Sequence, residues 1–171
     1  PNSVGVANVL RFKDRIATKT STVVNRLLTA GGATPVGLTT ASEFGGLNIS
    51  VTKLNGVTHN PWRHGRTTGG SSAGSASAVA GGLVPLATGG DGGGSIRIPA
   101  GYTGLLGMKG TYGRIPRGPH AYCTPGTIVL GCLARSVRDA ALYFDVGSGY
   151  DSLDPSSLPK RTNWEANLGT N

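Results

Sequence analysis

Glycine is concentrated in two runs that carry serines: Gly69-Gly70-Ser71-Ser72-Ala73-Gly74 and Gly89-Gly90-Asp91-Gly92-Gly93-Gly94-Ser95-Ile96-Arg97. Ser71 and Ser95 lie 24 residues apart. Glycine at this density marks backbone that bends tightly or passes close to another group. A flexible Gly/Ser linker is argued against by the apolar residues between the runs, Ala78-Val79-Ala80 and Leu83-Val84-Pro85-Leu86-Ala87, which a solvated linker would not carry. A serine at the end of a glycine loop can present its oxygen beside a row of backbone N–H groups. Acyl transfer needs that combination, a nucleophile with donors aimed at a developing oxyanion. The plainer reading is that each serine caps a turn. Two serines at this spacing, each set in glycines, favour the chemical reading.

The chain has 171 residues, enough for one domain with a real core, and 37% of them are hydrophobic. Its formal net charge of +8 is unevenly spread: between Phe44 and Arg138 Asp91 is the only acidic residue. Nine cations share that span: Lys53, Arg63, Arg66, Arg97, Lys109, Arg114, Arg117, Arg135 and Arg138. They are scattered singly, with no zinc-finger spacing and no RNA-binding aromatic signature, so no direct nucleic-acid partner is expected. The excess fits either a basic enzyme or a chain whose acidic partners lie on further sequence. A phosphate-binding G-x-x-x-x-G-K-[ST] loop is absent. The two cysteines, Cys123 and Cys132, lack C-x-x-C spacing and read as reduced, partly buried thiols of a cytoplasmic protein. No stretch approaches the ~18 apolar residues of a membrane span, so no membrane partner is expected. No metal or cofactor is expected either. No signal-peptide pattern is present, and a first residue of Pro1 rather than Met leaves the natural N-terminus open.

From Ser21 the stripe Val23, Val24, Leu27 and Leu28 predicts a helix stopped at Gly31-Gly32. Residues 33–40 read as a short buried strand, and 42–62 as a long loop. Small residues over 74–81 predict a close-packed helix, and 83–88 a strand leading into the second glycine run. A helical turn at 99–104 and a strand over 105–111 follow. Ser136-Val137-Arg138-Asp139 is a capping-box pattern opening a helix that ends near Gly147-Ser148-Gly149. Strands and helices alternate, which predicts an α/β fold on a mixed sheet. Residues 1–150 are expected to form the core, and 151–171 a tail or connection.

These stretches, continued by Gly104-Leu105-Leu106-Gly107-Met108-Lys109-Gly110-Thr111-Tyr112-Gly113-Arg114, resemble the amidase signature family. Val23-Val24-Asn25-Arg26-Leu27, Glu43-Phe44, Asn60-Pro61-Trp62, Ala134-Arg135-Ser136-Val137-Arg138-Asp139-Ala140 and residues 151–159 resemble it in order and spacing, so the resemblance covers residues 4–160. It implies an α/β/α sandwich around a mixed sheet that hydrolyses amide bonds with a Ser–Ser–Lys triad. Ser95 matches the nucleophile, and Ser71 the bridging serine that relays the proton beside a cis Gly70–Ser71 peptide. The N–H groups of Gly92, Gly93 and Gly94 would form the oxyanion hole. Ser72 would hydrogen-bond within the loop, and Asp91 would cap it or pair with Arg97. A serine is a poor nucleophile without a base. His59, His64 and His120 read as ordinary surface residues rather than as that base.

The chain also departs from the family pattern. The family's lysine lies about seventy residues before the bridging serine, at or before Pro1 here. Lys13-Asp14 mimics its setting but is only 58 residues from Ser71, and reads as solvated. The resemblance therefore implies an internal piece of a longer enzyme, with the lysine and a large C-terminal portion outside it. Gly90 stands where the family has a hydroxyl that would steady Arg97, Ala73 replaces a glycine, and Cys132 sits where proline is common. The expected partners are a small-molecule amide and either a second copy or the remainder of the same enzyme. The alternatives are an inactive fragment or interaction module, or an ammonia-producing amidotransferase subunit.

Overall fold

A computed structural model describes residues 9–119 and 126–170. His120 and Cys123 therefore lie outside the described residues. Among the described residues four α-helices run from Thr22–Thr29 (α1), Ala73–Ala80 (α2), Arg97–Thr103 (α3) and Val137–Gly147 (α4). Two hairpins, Val51–Thr52 (β1) with Gly56–Val57 (β2) and His59–Asn60 (β3) with Arg63–Thr67 (β4), lie in what reads as the long loop after Ser42. The main sheet has the order β5-β7-β6, from Leu86–Asp91 (β5), Val129–Ala134 (β7) and Leu106–Met108 (β6).

Both outer strands pair antiparallel with β7. The described sheet is therefore antiparallel rather than mixed: β5 and β6 run the same way, but β7 lies between them. Every hydrogen-bonded pair among the described residues is antiparallel. Successive residues of a strand face opposite sides of a sheet, and β7 uses both. Cys132 and Ala134 pack with Val23 of α1 and with Ala140, Tyr143 and Phe144 of α4. Leu133, between them, packs with Ala76 of α2, Ala100 of α3 and Ile96. Helices thus cover both faces, which is the α/β/α sandwich. Tyr143, Ile96 and Leu133 are fully buried, and burial of such a side chain stabilises by about 2 kcal/mol.

The sequence signals at α4 hold in detail. Ser136 has extended backbone, and its hydroxyl accepts from the Asp139 N–H at 3.1 Å, closing the first turn. Arg26 of α1 donates to the carbonyls of Gly147, Gly149 and Tyr150 at the other end of α4. A cation there complements the negative end of the helix dipole.

Residues 33–40 form no strand. Ala33 to Leu38 are exposed, and the segment instead reaches α2, with the Gly74 N–H donating to the Thr40 carbonyl at 2.9 Å. A strand needs a partner for its backbone groups, and none of the described residues pairs with this one. Beyond residue 150 the described residues form no helix or strand but stay on the core. Asp151 accepts from Thr22 and Asp154 from the Arg117 N–H, and Trp164 packs edge-on to Phe144.

Candidate active site

Ile96, near the end of the second glycine run, lies over a floor of three glycines. Gly89 is paired with Gly131, and Gly107 with Leu133, so the three come from β5, β7 and β6. A Cβ on Gly107 would lie 2.5 Å from the Ala100 Cβ and 2.9 Å from the Ile96 carbonyl. One on Gly131 would lie 3.1 Å from the Ile96 side chain, and one on Gly89 3.0 Å. The sheet is stripped of side chains where Ile96 enters it. Ile96 is fully buried, and this anchors the residue directly after Ser95.

Asp91, at the end of β5, organises the turn above that floor. Its side chain is wholly buried. One carboxylate oxygen accepts from the Gly94 N–H at 2.8 Å and from Arg97 Nη2 at 3.0 Å. The other accepts from the N–H groups of Ile96 and Arg97 at 3.2 Å and from Arg97 Nε at 3.0 Å. Burial alone would push this carboxyl up. The Arg97 guanidinium and the amides of Arg97, Gly94 and Ile96 outweigh it and hold the group well below the usual carboxylate range. Arg97 is thus steadied by Asp91 despite the missing hydroxyl at position 90. Gly94 has φ +114°, and a Cβ there would meet Ile98 at 2.7 Å, so only glycine fits this point of the turn.

The first glycine run comes alongside. The Gly70–Ser71 peptide is cis. The Ser72 N–H donates to the Ser95 carbonyl at 3.2 Å, and the Ser72 hydroxyl to the Gly90 carbonyl at 3.5 Å. Ser72 therefore bonds across to the second loop rather than within its own. A third segment, which the sequence reading leaves as undifferentiated loop, walls in Ser71. The Ser42 N–H donates to the Ser71 carbonyl at 3.2 Å, and Gly45 lies next to the Ser71 hydroxyl. The Ser42 hydroxyl ties its own loop together through the carbonyls of Leu47 and Ile49. Phe44, exposed and left-handed at φ 55°, rides on that turn.

The structure corrects one expected donor. The Gly94 N–H is turned inward to Asp91, because the carboxylate folds back over residues 94–97. The amides of Gly92, Gly93 and Ser95 have no acceptor among the described residues. Neither serine hydroxyl, on Ser71 or Ser95, bonds to a described residue. Lys13 is exposed at the end of a short 3-10 turn, in keeping with a solvated residue. His59 and His64 face each other across the β3–β4 hairpin, ring centroids 4.0 Å apart, and hydrogen-bond to neither serine. Cys132 is a free thiol on the opposite face of the sheet, and burial, with Asp139 nearby, pushes it up to about 12.

The sequence reading also misses Lys109. It stands just after β6, and its ammonium reaches back to the carbonyls of Asp91, Gly92 and Thr127 at 2.7, 3.2 and 2.8 Å. Nothing local to Lys109 signals this contact.

Comparison with known proteins bears on this geometry. The family model described as Amidase matches residues 7–169. An acylamidase of Rhodococcus erythropolis is 40% identical over 91% of this chain and 36% of its own length. A glutamyl-tRNA(Gln) amidotransferase subunit of Nitrosococcus oceani is 46% identical over 81% of this chain and 28% of its own. Among solved structures, a 6-aminohexanoate cyclic dimer hydrolase complexed with substrate superposes with a TM-score of 0.91 at 35% identity, over 99% of this chain and 36% of that one. The chain thus spans well under half the length of the relatives it matches.

Proposed function

This chain belongs to the amidase family, and from that premise we propose that it carries the serine machinery of an amide hydrolase, Ser95 as nucleophile and Ser71 as proton relay. The observation that supports this most is the Ser72–Ser95 backbone hydrogen bond, 3.2 Å. It ties the two serine loops to each other, beside amides that have no acceptor among the described residues. In this reading Ser95 Oγ attacks the substrate carbonyl carbon and its proton passes to Ser71. Ser71 passes its own proton to a neutral lysine outside these 171 residues. The oxyanion is held by the amides of Gly92, Gly93 and Ser95. The C–N bond breaks as the amine takes the proton back through Ser71, leaving acyl-Ser95. Water then attacks the ester, and carboxylic acid and free Ser95 result. Asp91 and Arg97 hold the loop and move no proton.

A second reading is favoured by the 46% identity to the amidotransferase protein. There the released ammonia would pass to an acceptor on a partner protein. Either reading suits a cytoplasmic setting. No described helix is long and apolar enough to cross a membrane.

The test is hydrolysis of aryl amides by the full-length protein carrying these residues. Ser95→Ala should abolish the acyl-enzyme burst, and Ser71→Ala should cost nearly as much, in the range of about 10³-fold or more for loss of a unit that acts together. A normal burst in either variant refutes the assignment. Ammonia released only in the presence of a partner protein would favour the second reading.

A further inference from the structure

The geometry points to Lys109 as the residue that aims the oxyanion donors, an inference that rests on the hydrolase reading above. Its ammonium donates to two successive loop carbonyls, Asp91 O at 2.7 Å and Gly92 O at 3.2 Å. A trans peptide is planar, so its C=O and the next residue's N–H point in opposite directions. The 91–92 and 92–93 peptides are both trans. Pulling the Asp91 carbonyl toward Lys109 therefore turns the Gly92 N–H away from it. Pulling the Gly92 carbonyl does the same to the Gly93 N–H. These are two of the three amides that have no acceptor among the described residues.

Two fixed points keep the ammonium in place. The Thr127 carbonyl, just before β7, accepts its third hydrogen bond at 2.8 Å. Asp91 Oδ1 stands 3.4 Å away and supplies the countercharge. The side chain is 26% exposed, so this cation is largely withdrawn from solvent. Lys109 thus clamps the entry to the turn, residues 91–92, while the Asp91 carboxylate clamps its exit, residues 94–97. Between the clamps Gly93 is exposed, with nothing within 4 Å of where its Cβ would be. A glycine in open space has no packing to fix its peptide planes, so its orientation depends on the clamps. Three carbonyls around one point suit the compact ammonium of lysine, whose three donors rotate freely. A planar guanidinium cannot satisfy the same set.

Lys109 is a positioning residue here: it touches no reacting atom and acts through the peptides it holds. The experiment compares hydrolysis of an oxo ester and its thiono ester, C=O against C=S, by the full-length wild-type protein and its Lys109→Met variant. Sulfur accepts hydrogen bonds poorly, so a well-aimed oxyanion hole favours the oxo substrate. The expected result is a fall of about 10- to 100-fold in kcat for the oxo ester, below the 10²–10³ lost with an outright donor. KM should change little, and the oxo/thiono ratio should fall with kcat. Lys109→Arg should recover stability but not the ratio. Equal loss on both esters, or an unchanged ratio, would overturn the inference. If Lys109→Met does not fold, Lys109→Gln, whose NH2 keeps two N–H donors without the charge, is read by the same ratio. Ser95→Ala separates the two levels. If wild-type hydrolysis survives in Ser95→Ala, the hydrolase reading itself has failed. If it is abolished there while Lys109→Met keeps the wild-type ratio, only the role of Lys109 has failed.

Discussion

Replacing Asp91 by asparagine should destabilise the fold by about 2–4 kcal/mol while changing almost no volume. Both carboxylate oxygens face donors only. Oδ1 meets the Gly94 N–H and Arg97 Nη2, and Oδ2 meets the Ile96 and Arg97 N–H groups and Arg97 Nε. Either orientation of the amide sets an NH2 group against one of these sets. A buried donor left without its acceptor costs about 1–3 kcal/mol. The Gly94 amide alone, or the Ile96 and Arg97 amides together, would be stranded. The Arg97 side chain is 53% exposed; it can turn to water, so its share is discounted. At about 2–4 °C per kcal/mol for a chain of this size, Tm should drop by roughly 5–15 °C at pH 7.

The pH dependence supplies the sharper check. The folded Asp91 carboxyl is held below its ordinary value of 3.8. Its contribution is therefore complete above that value and is lost as pH falls from there toward the folded pKa. The difference in Tm between wild type and Asp91→Asn should be flat from pH 7 to about 5 and shrink below pH 4, other groups cancelling between the two proteins. Thermal unfolding followed by circular dichroism across this range is sufficient. A variant that melts within about 2 °C of wild type at pH 7, or a gap that widens in acid, would refute the reasoning.

Gly131→Ala should lower the urea midpoint by an amount worth about 1–3 kcal/mol, because the new Cβ would press into the Met108 carbonyl and force β6 from β7; an unchanged midpoint would mean the glycine floor under Ile96 is not packed as described. The folded Cys132 thiol is held up to about 12 from an ordinary 9.0. Its contribution to stability is present below pH 9 and is lost as pH rises through the folded value. Peptide mapping after iodoacetamide at pH 8 should leave Cys132 unmodified in the folded protein and alkylated in urea. Rapid native modification would contradict its burial.

Much of the site is legible in the chain itself. Within each glycine run the serine lies a few residues from its glycines, and Asp91 lies four residues before Ser95, so the chemistry of each loop is local, and the Ser136 cap and the helix after it are local too. What the chain does not reveal depends on contacts far apart in sequence. The run from Ile128 to Ala134 is apolar without alternation, and reads as no particular element. It becomes the central strand only because helices cover both of its faces, so both sets of its side chains are buried. Residues 33–40 have a strand-like composition, yet a strand exists only where backbone partners are found. The direction of the Gly94 amide is set by a carboxylate folding back from β5. Lys109, 14 residues past Ser95, finds the loop only because the sheet places the ends of β5 and β6 on either side of β7. The residue types and their spacing along the chain determine which groups could do the chemistry. The tertiary structure decides which amides point toward it, because a peptide plane turns freely until something distant holds its carbonyl.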